Sequence, residues 1–409
     1  MPPAVPDYAN LMRSDLPSAA ARWNGFPKYN FTGGHNDADC VPVDELVAAA
    51  AAVLKREGRT LATYGLNSGP LGYRPLREFI ARKLGGEAGI ACSAEQVLIT
   101  SGSLQGLDLV NQILVSPGDT VIVERETYGG AITRLQRAGA QLVGVELDHD
   151  GLSSGALDSA LADLKGRRIL PKYIYTIPTV QNPTATIMSE ARRRGILQLA
   201  GKYGVPIFED ECYADLVWGG TRPQALRGMT GDDRVIHIGS FSKSIAPALR
   251  LGYLVADWPV MSRILAIKGD GGSGALEQMV IAEYCLEHFE THVVSLRKAL
   301  RRKAEILMES VSANFGSDAK FSDPAGGIFL WVALPDAVDT TRLAQVALQA
   351  GVAVNPGAEW TTDAAPGRRR LRLCFAHPSE QTIRDGIGRL AEVCRREFGV
   401  PAAESRGHR

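Results

Sequence analysis

The chain is predicted to be an α/β protein, with a mostly parallel seven-stranded sheet between helices and a smaller α+β domain. Two features predict this. From about residue 95 to 260, short apolar runs (97–100, 120–123, 141–147, 173–177, 206–208, 235–238 and 252–255) alternate with helical patterns, among them 104–114, 130–138 and 190–203. Runs that are apolar throughout belong to strands buried on both faces, and strands alternating with helices pair in parallel. Beyond residue 280 the order changes to a long helix (278–315), a strand (327–334), a helix (341–350), strands 352–354 and 371–375, and a last helix (380–398).

The domains follow from these elements. Residues 1–45, rich in Pro, Asn, Asp and Gly, read as an arm. A helix is predicted to start near Val43 and Asp44, with Asp44 as its cap, because a carboxylate there accepts from the free N–H groups of the first turn. The large domain spans 46–280 and the small domain 281–409. With 409 residues, 45% of them hydrophobic, the chain has enough apolar surface for two such units.

Composition excludes several function classes. Lys+Arg and Asp+Glu are both 45, so nothing global favours nucleic acid or an acidic membrane. No apolar run is long enough to span a bilayer, and Met1-Pro2-Pro3 does not begin a signal peptide. The six cysteines are scattered without a C-x-x-C pair, as in a reduced, cytoplasmic protein. His288 and His292 have the spacing of a metal pair but no third ligand, so a surface helix face is expected. The basic run Arg297, Lys298, Arg301, Arg302 and Lys303 is balanced by nearby Glu287, Glu290, Glu305 and Glu309, and is predicted to be a solvated face.

Ligands on parallel sheets bind beyond the carboxyl ends of the strands, so the segments just after these strands carry the functional reading. Ser240-Phe241-Ser242-Lys243 ends an apolar run, and Arg250 follows beyond Pro247. A lysine among hydroxyls with a guanidinium nearby suits pyridoxal phosphate (PLP), whose aldehyde takes an amine and whose phosphate takes the other groups. A solvated strand-end lysine is the ordinary alternative. Ser101-Gly102-Ser103-Leu104 opens a helix whose free N–H groups can seat a phosphate, as many strand-to-helix turns can. Tyr128 can stack on a heterocycle or simply pack. Asn182, in Gln181-Asn182-Pro183-Thr184, can donate to a phenolate oxygen or belong to an ordinary turn. Glu209-Asp210-Glu211 ends a strand with three acids that are costly to desolvate, so a cationic partner is expected for one of them. A pyridinium nitrogen would suit Asp210, and Tyr213 lies within reach of the same oxygen as Asn182. Arg372, between apolar neighbours in its strand, can clamp a carboxylate or form an internal salt bridge.

Together these segments resemble the class I/II aminotransferases of PLP fold type I, over about residues 31–398. Within them the chain looks most like the branch holding 2-aminoadipate and kynurenine aminotransferases and the effector domains of MocR-type regulators. The resemblance implies that Lys243 carries the Schiff base and moves the proton. It implies that Asp210 pairs with the pyridine nitrogen, Asn182 and Tyr213 hold the phenolate oxygen, and Tyr128 stacks on the ring. Ser103, the Leu104 backbone, Ser240 and Arg250 would bind the phosphate. Arg372 would hold the substrate α-carboxylate, with Gly34 and Asn182 on the substrate side. Tyr64 matches the tyrosine that reaches the partner's phosphate, which implies a homodimer with shared active sites. Ala185 and Ala248 stand where the family carries Gly, Glu126 where it often carries Pro, and His35-Asn36-Asp37 replaces x-Pro.

The reaction so implied moves an amino group from an amino acid to a 2-oxo acid. His35 is a candidate contact for a substrate side chain, and Arg22 and Arg74 are candidates for a second arginine. Elimination, decarboxylation or ring closure on the same scaffold is the first alternative. A PLP-sensing module is the second, although no basic DNA-binding segment precedes the substrate-side loop.

Overall fold

A computed structural model describes residues 8–14, 16–17, 19–218, 220–230 and 233–401. Its centre is a seven-stranded sheet: β1 (Val97–Ser101), β2 (Thr120–Glu124), β3 (Gln141–Val145), β4 (Ile174–Thr176), β5 (Ile207–Asp210), β6 (Val235–Ser240) and β7 (Leu251–Val255). The order across the sheet is β1-β7-β6-β5-β4-β2-β3. Only β7 is antiparallel to its neighbours. Every residue of β2, β4, β5, β6 and β7 is buried, as expected of strands covered on both faces. All seven predicted strands are present. The run 141–147 ends early at Val145, and Leu147–Asp148 instead pairs with Gly151–Leu152 in a small hairpin.

Parallel β1, β2, β4, β5 and β6 end at one edge of the sheet. The start of β7 lies there too, because it runs the other way. This edge therefore gathers Ser101, Glu124, Thr176, Asp210, Ser240 and Leu251. It is the edge at which the sequence reading puts the chemistry.

The second unit is a three-stranded antiparallel sheet of Phe329–Ala333, Asn355–Pro356 and Arg370–Cys374. Helices Phe289–Phe315, Thr340–Gln349 and Glu380–Phe398 flank it. The arm joins here: Tyr29–Asn30 pairs in parallel with Val352–Ala353, and Phe31 is wholly buried in this unit's core. The substrate-side loop is thereby tied to the smaller unit.

Three local expectations are corrected. Asp44 lies inside the first turn of helix Val43–Glu57, and Pro42 holds the cap position; an acid within the first turn still favours the positive end of the helix. The predicted long helix is two helices, Ala275–Glu287 and Phe289–Phe315, meeting at His288. Apolar periodicity continues across the junction and hid the break: Val293 still packs in the large core, while Leu296 begins the smaller one. The basic run is not wholly solvated. Lys303 is buried against the Ala376 carbonyl and Asp37, and Arg297 donates to the Asp215 carbonyl. His292, also on this helix, is half-buried with Nε2 2.8 Å from the Ser244 carbonyl.

Candidate active site

A cleft of about 560 Å³ opens at the carboxyl edge of the main sheet, between it and the smaller unit. Lys243, Asp210, Tyr128, Asn182, Tyr213, Ser103, Leu104, Ser240, Arg250, Arg372 and Gly34 all line it. Residues from 34 to 372 converge on one space because their strands end together.

The acidic triplet sorts itself by partner. Glu209 is buried against His237, Nδ1 to Oε2 at 2.9 Å. Glu211 is buried against Arg222 at 3.2 Å and Arg193 at 3.5 Å. Asp210, between them, forms no salt bridge among the described residues. Its Oδ2 accepts from the Tyr175 hydroxyl at 2.7 Å and its Oδ1 from the Cys212 N–H at 3.1 Å. Successive residues of a strand point to opposite faces, which separates Asp210 from its two neighbours. A nearly buried carboxylate that opens into the cleft and forms no salt bridge among the described residues calls for a cationic ligand.

Lys243 reaches across the cleft, and its Nζ donates to the Gly34 carbonyl at 2.7 Å. A Cβ at Gly34 would come within 2.5 Å of that nitrogen, so glycine is needed for the close approach. Burial lowers the Lys243 pKa below the usual lysine value.

At the far end of the cleft the first turn of helix Ser103–Leu114 begins after Gly102, whose φ is +71° and which has no capping side chain. Arg250, in the left-handed region (φ +52°) just before β7, packs its guanidinium against Gly102 at the start of this turn. Uncapped amides, Ser240 and a guanidinium can together seat a dianion.

Arg372 is buried, and its Nη2 donates to the Gly33 carbonyl at 2.8 Å and to Asn355 Oδ1 at 2.9 Å. Its Nη1 donates to Asn182 Oδ1 at 3.2 Å, and its Nε has no partner. The guanidinium carbon lies over Trp360, 3.7 Å from the ring centroid. Asn182 also meets the Tyr213 hydroxyl at 3.5 Å, and burial holds the Tyr213 pKa well above the usual phenol value.

The model of the aminotransferase class I and II family matches residues 27–390. The chain belongs to the class I and II aminotransferases. It is 30% identical to the 2-aminoadipate transaminase of Thermus thermophilus, over 89% of each chain. It is 33% identical to the HTH-type transcriptional regulator YisV of Bacillus subtilis, over 80% of its own length and 66% of the regulator's. The structure of Pyrococcus horikoshii kynurenine aminotransferase matches with a TM-score of 0.84 at 30% identity, covering 90% of this chain and 91% of that one.

This aminotransferase is a PLP-dependent transaminase of fold type I, and its residues fit the cofactor. Asp210, in no salt bridge among the described residues, would meet the charge of a protonated ring nitrogen, the uncapped helix end and Arg250 would meet a phosphate, and Lys243 lines the same cleft.

Four of the candidate residues lie outside the cleft lining. The His35 ring turns away to Phe26 (5.0 Å) and His377 (5.6 Å). Tyr64 is 94% exposed. Neither Arg22 nor Arg74 lines the cleft, and Arg74 pairs with Glu78. Arg134 and Arg137 of helix Gly129–Arg137 line it instead. Tyr175, Trp360 and Asn355 were not singled out from the sequence. Tyr175 is two residues from the end of the predicted strand 173–177, and alternation alone could have flagged it as facing the site. Nothing local marks Trp360 or Asn355, which reach Arg372 only through the fold of the smaller unit. Ala185, where a glycine was expected, has a φ of +59°, the conformation that favours glycine.

Proposed function

We propose that this transaminase takes its amino group from an amino acid with an acidic side chain, in a homodimer in which each cleft is completed by the partner subunit's Tyr64. The chemistry rests on Asp210, the one acid of its triplet left without a protein cation and facing the cleft that holds Lys243.

PLP, when bound, supplies an aldehyde and a protonated ring that draws electrons from the substrate α-carbon. The side chains do the rest. Lys243, with its pKa lowered by burial, offers an amine that can take the α-proton and return it. Tyr175 and the Cys212 N–H hold the Asp210 carboxylate in one orientation. Arg372 would meet the α-carboxylate, with its guanidinium held over the Trp360 ring. Tyr128 would stack on the ring, and Asn182 and Tyr213 would hold the ring oxygen.

The substrate class is supported by Arg137 on the cleft wall; Arg134, one turn before it, also lines the cleft but is paired with Asp108 at 2.9 Å. The dimer is supported by Tyr64, which is exposed, lies outside its own cleft and belongs to a loop with Leu66 and Asn67 at positive φ. Six unpaired cysteines suit a reducing, cytoplasmic setting. No helix among the described residues is long and apolar enough to cross a membrane. A division into a large and a small unit is supported by the separate cores, but the passage between them lies inside helix Phe289–Phe315, between Val293 and Leu296, beyond the expected boundary at 280, and the arm's Phe31 packs in the smaller core.

Oxo-acid product from acidic, aromatic and aliphatic donors, measured with 2-oxoglutarate as acceptor, tests this reading. The highest kcat/KM is expected for an acidic donor, and a higher value for aromatic donors would overturn the substrate class. Light scattering should give twice the chain mass of 43.9 kDa. A monomer with full activity would overturn the shared site.

A further inference from the structure

Glu124 ends β2 wholly buried and touches no substrate-facing group, yet it is one of the few buried acids without a cation. Its Oε1 accepts from the Thr176 hydroxyl at 2.6 Å and the Ile177 N–H at 3.1 Å. Its Oε2 accepts from Gln181 Nε2 at 2.9 Å. The same Gln181 nitrogen donates to the Glu126 carbonyl at 2.7 Å. Gln181 Oε1 in turn accepts from both the N–H (2.9 Å) and the hydroxyl (2.7 Å) of Thr184. Both amide hydrogens and both lone pairs of Gln181 are thereby used, so its amide can face only one way. The turn it braces, from Gln181 to Thr184, carries Asn182, which accepts from Arg372 at 3.2 Å.

We propose that Glu124 is a positioning residue for substrate binding: it orients Gln181, and Gln181 holds Asn182 against the Arg372 guanidinium. The proposal rests on the reading of Arg372 as the clamp for the α-carboxylate. Burial raises the Glu124 carboxyl pKa to about 7, so an acid at this position is costly and a purely structural site would be served better by an apolar side chain. Three donors converge on the carboxylate, and no neutral amide can accept from all of them. In E124Q the new NH₂ faces either the Gln181 NH₂ or the Ile177 N–H, so donor meets donor.

The test uses holoenzyme with propanoate as the carboxylate probe, read by calorimetry beside the KM and kcat of the best amino donor. E124Q is expected to weaken propanoate binding about tenfold and raise KM similarly, with a smaller fall in kcat. Gln181→Leu should do the same, and the double variant E124Q/Q181L should be no worse than Q181L, because the two residues act in series. Thr176→Val removes a donor to the same carboxylate but leaves the Gln181 bond, and should bind propanoate as the wild type does. Wild-type affinity in E124Q, equal losses in E124Q and T176V, or additive losses in the double variant would each overturn the proposal. Should E124Q fail to fold, Q181L against T176V decides in the same way. The expected propanoate series in a protein that turns over no amino acid would uphold the proposal and strike only the functional reading.

Discussion

The Tyr175 hydroxyl donates to Asp210 Oδ2 at 2.7 Å, and both residues are buried one strand apart on β4 and β5. Through this bond the main sheet orients the carboxylate, together with the Cys212 N–H just beyond β5. Burial holds the Tyr175 pKa well above the usual phenol value, so the hydroxyl stays a donor. Tyr175→Phe keeps the ring packed against Phe208 and removes only that donor. A hydrogen bond to a charged group contributes about 1.5–3 kcal/mol. Affinity for PLP, measured by equilibrium dialysis, should fall roughly tenfold or more, with the fold unchanged by circular dichroism. Unchanged affinity would mean that the Cys212 N–H is enough to hold Asp210.

Lys243→Ala should abolish transamination while leaving the fold intact, since the side chain spans an open cleft and supports no core. Gly34→Ala is a subtler probe. The added methyl would meet Lys243 Nζ at 2.5 Å, so the amine has to leave its place beside the carbonyl. Displacement of a reacting group by about 1 Å can cost about 100-fold. G34A should therefore lower kcat without lowering thermal stability, a pair of results that a folding defect would not give.

These two probes show where the sequence was legible. Lys243 and Asp210 were legible because each stands at the end of an apolar run, and Arg250 because it stands at the start of an antiparallel one, where topology leaves few places for a charge to go. The seven strands were legible for the same reason. What the sequence could not show was the partner of each acid in Glu209-Asp210-Glu211: His237, Arg193 and Arg222 are distant in the chain, and only their positions explain why Asp210 alone is left for a ligand. His35 read as a substrate contact because it follows Gly34, but its ring packs edge-on against Phe26 and at a tilt to His377. The helix break at His288 was hidden because the apolar face continues through it while the core beneath it changes.

Arg372→Ala should weaken binding of α-carboxylates by about 2–5 kcal/mol, because the guanidinium is desolvated and its partners are left buried. Arg372→Lys should recover little, since an ammonium cannot form the fork. Trp360→Leu should give a smaller loss, of about 1 kcal/mol. Propanoate titration of the three variants checks the order. A lysine variant that binds as well as the wild type would show that charge alone holds the carboxylate.

Glu124 also predicts how stability varies with pH. Its carboxyl pKa is raised from 4.5 to about 7 in the folded chain, first by burial and then moderated by its hydrogen bonds. Between those values the folded protein keeps a proton that the unfolded chain has released. A state that binds the extra proton loses ground as protons become scarce, so this contribution to stability declines as pH rises from about 4.5 to 7 and is level above that. The fall amounts to about 3 kcal/mol by linkage. Gln at this position never ionises, so E124Q lacks the decline whatever it loses in hydrogen bonding. Urea unfolding of both proteins at fixed concentration from pH 4.5 to 8 should show the wild-type advantage over E124Q shrinking as pH rises. Parallel curves would mean that Glu124 ionises in the folded chain as it does in water, and that the hydrogen bonds from Thr176, Ile177 and Gln181 offset its burial in full.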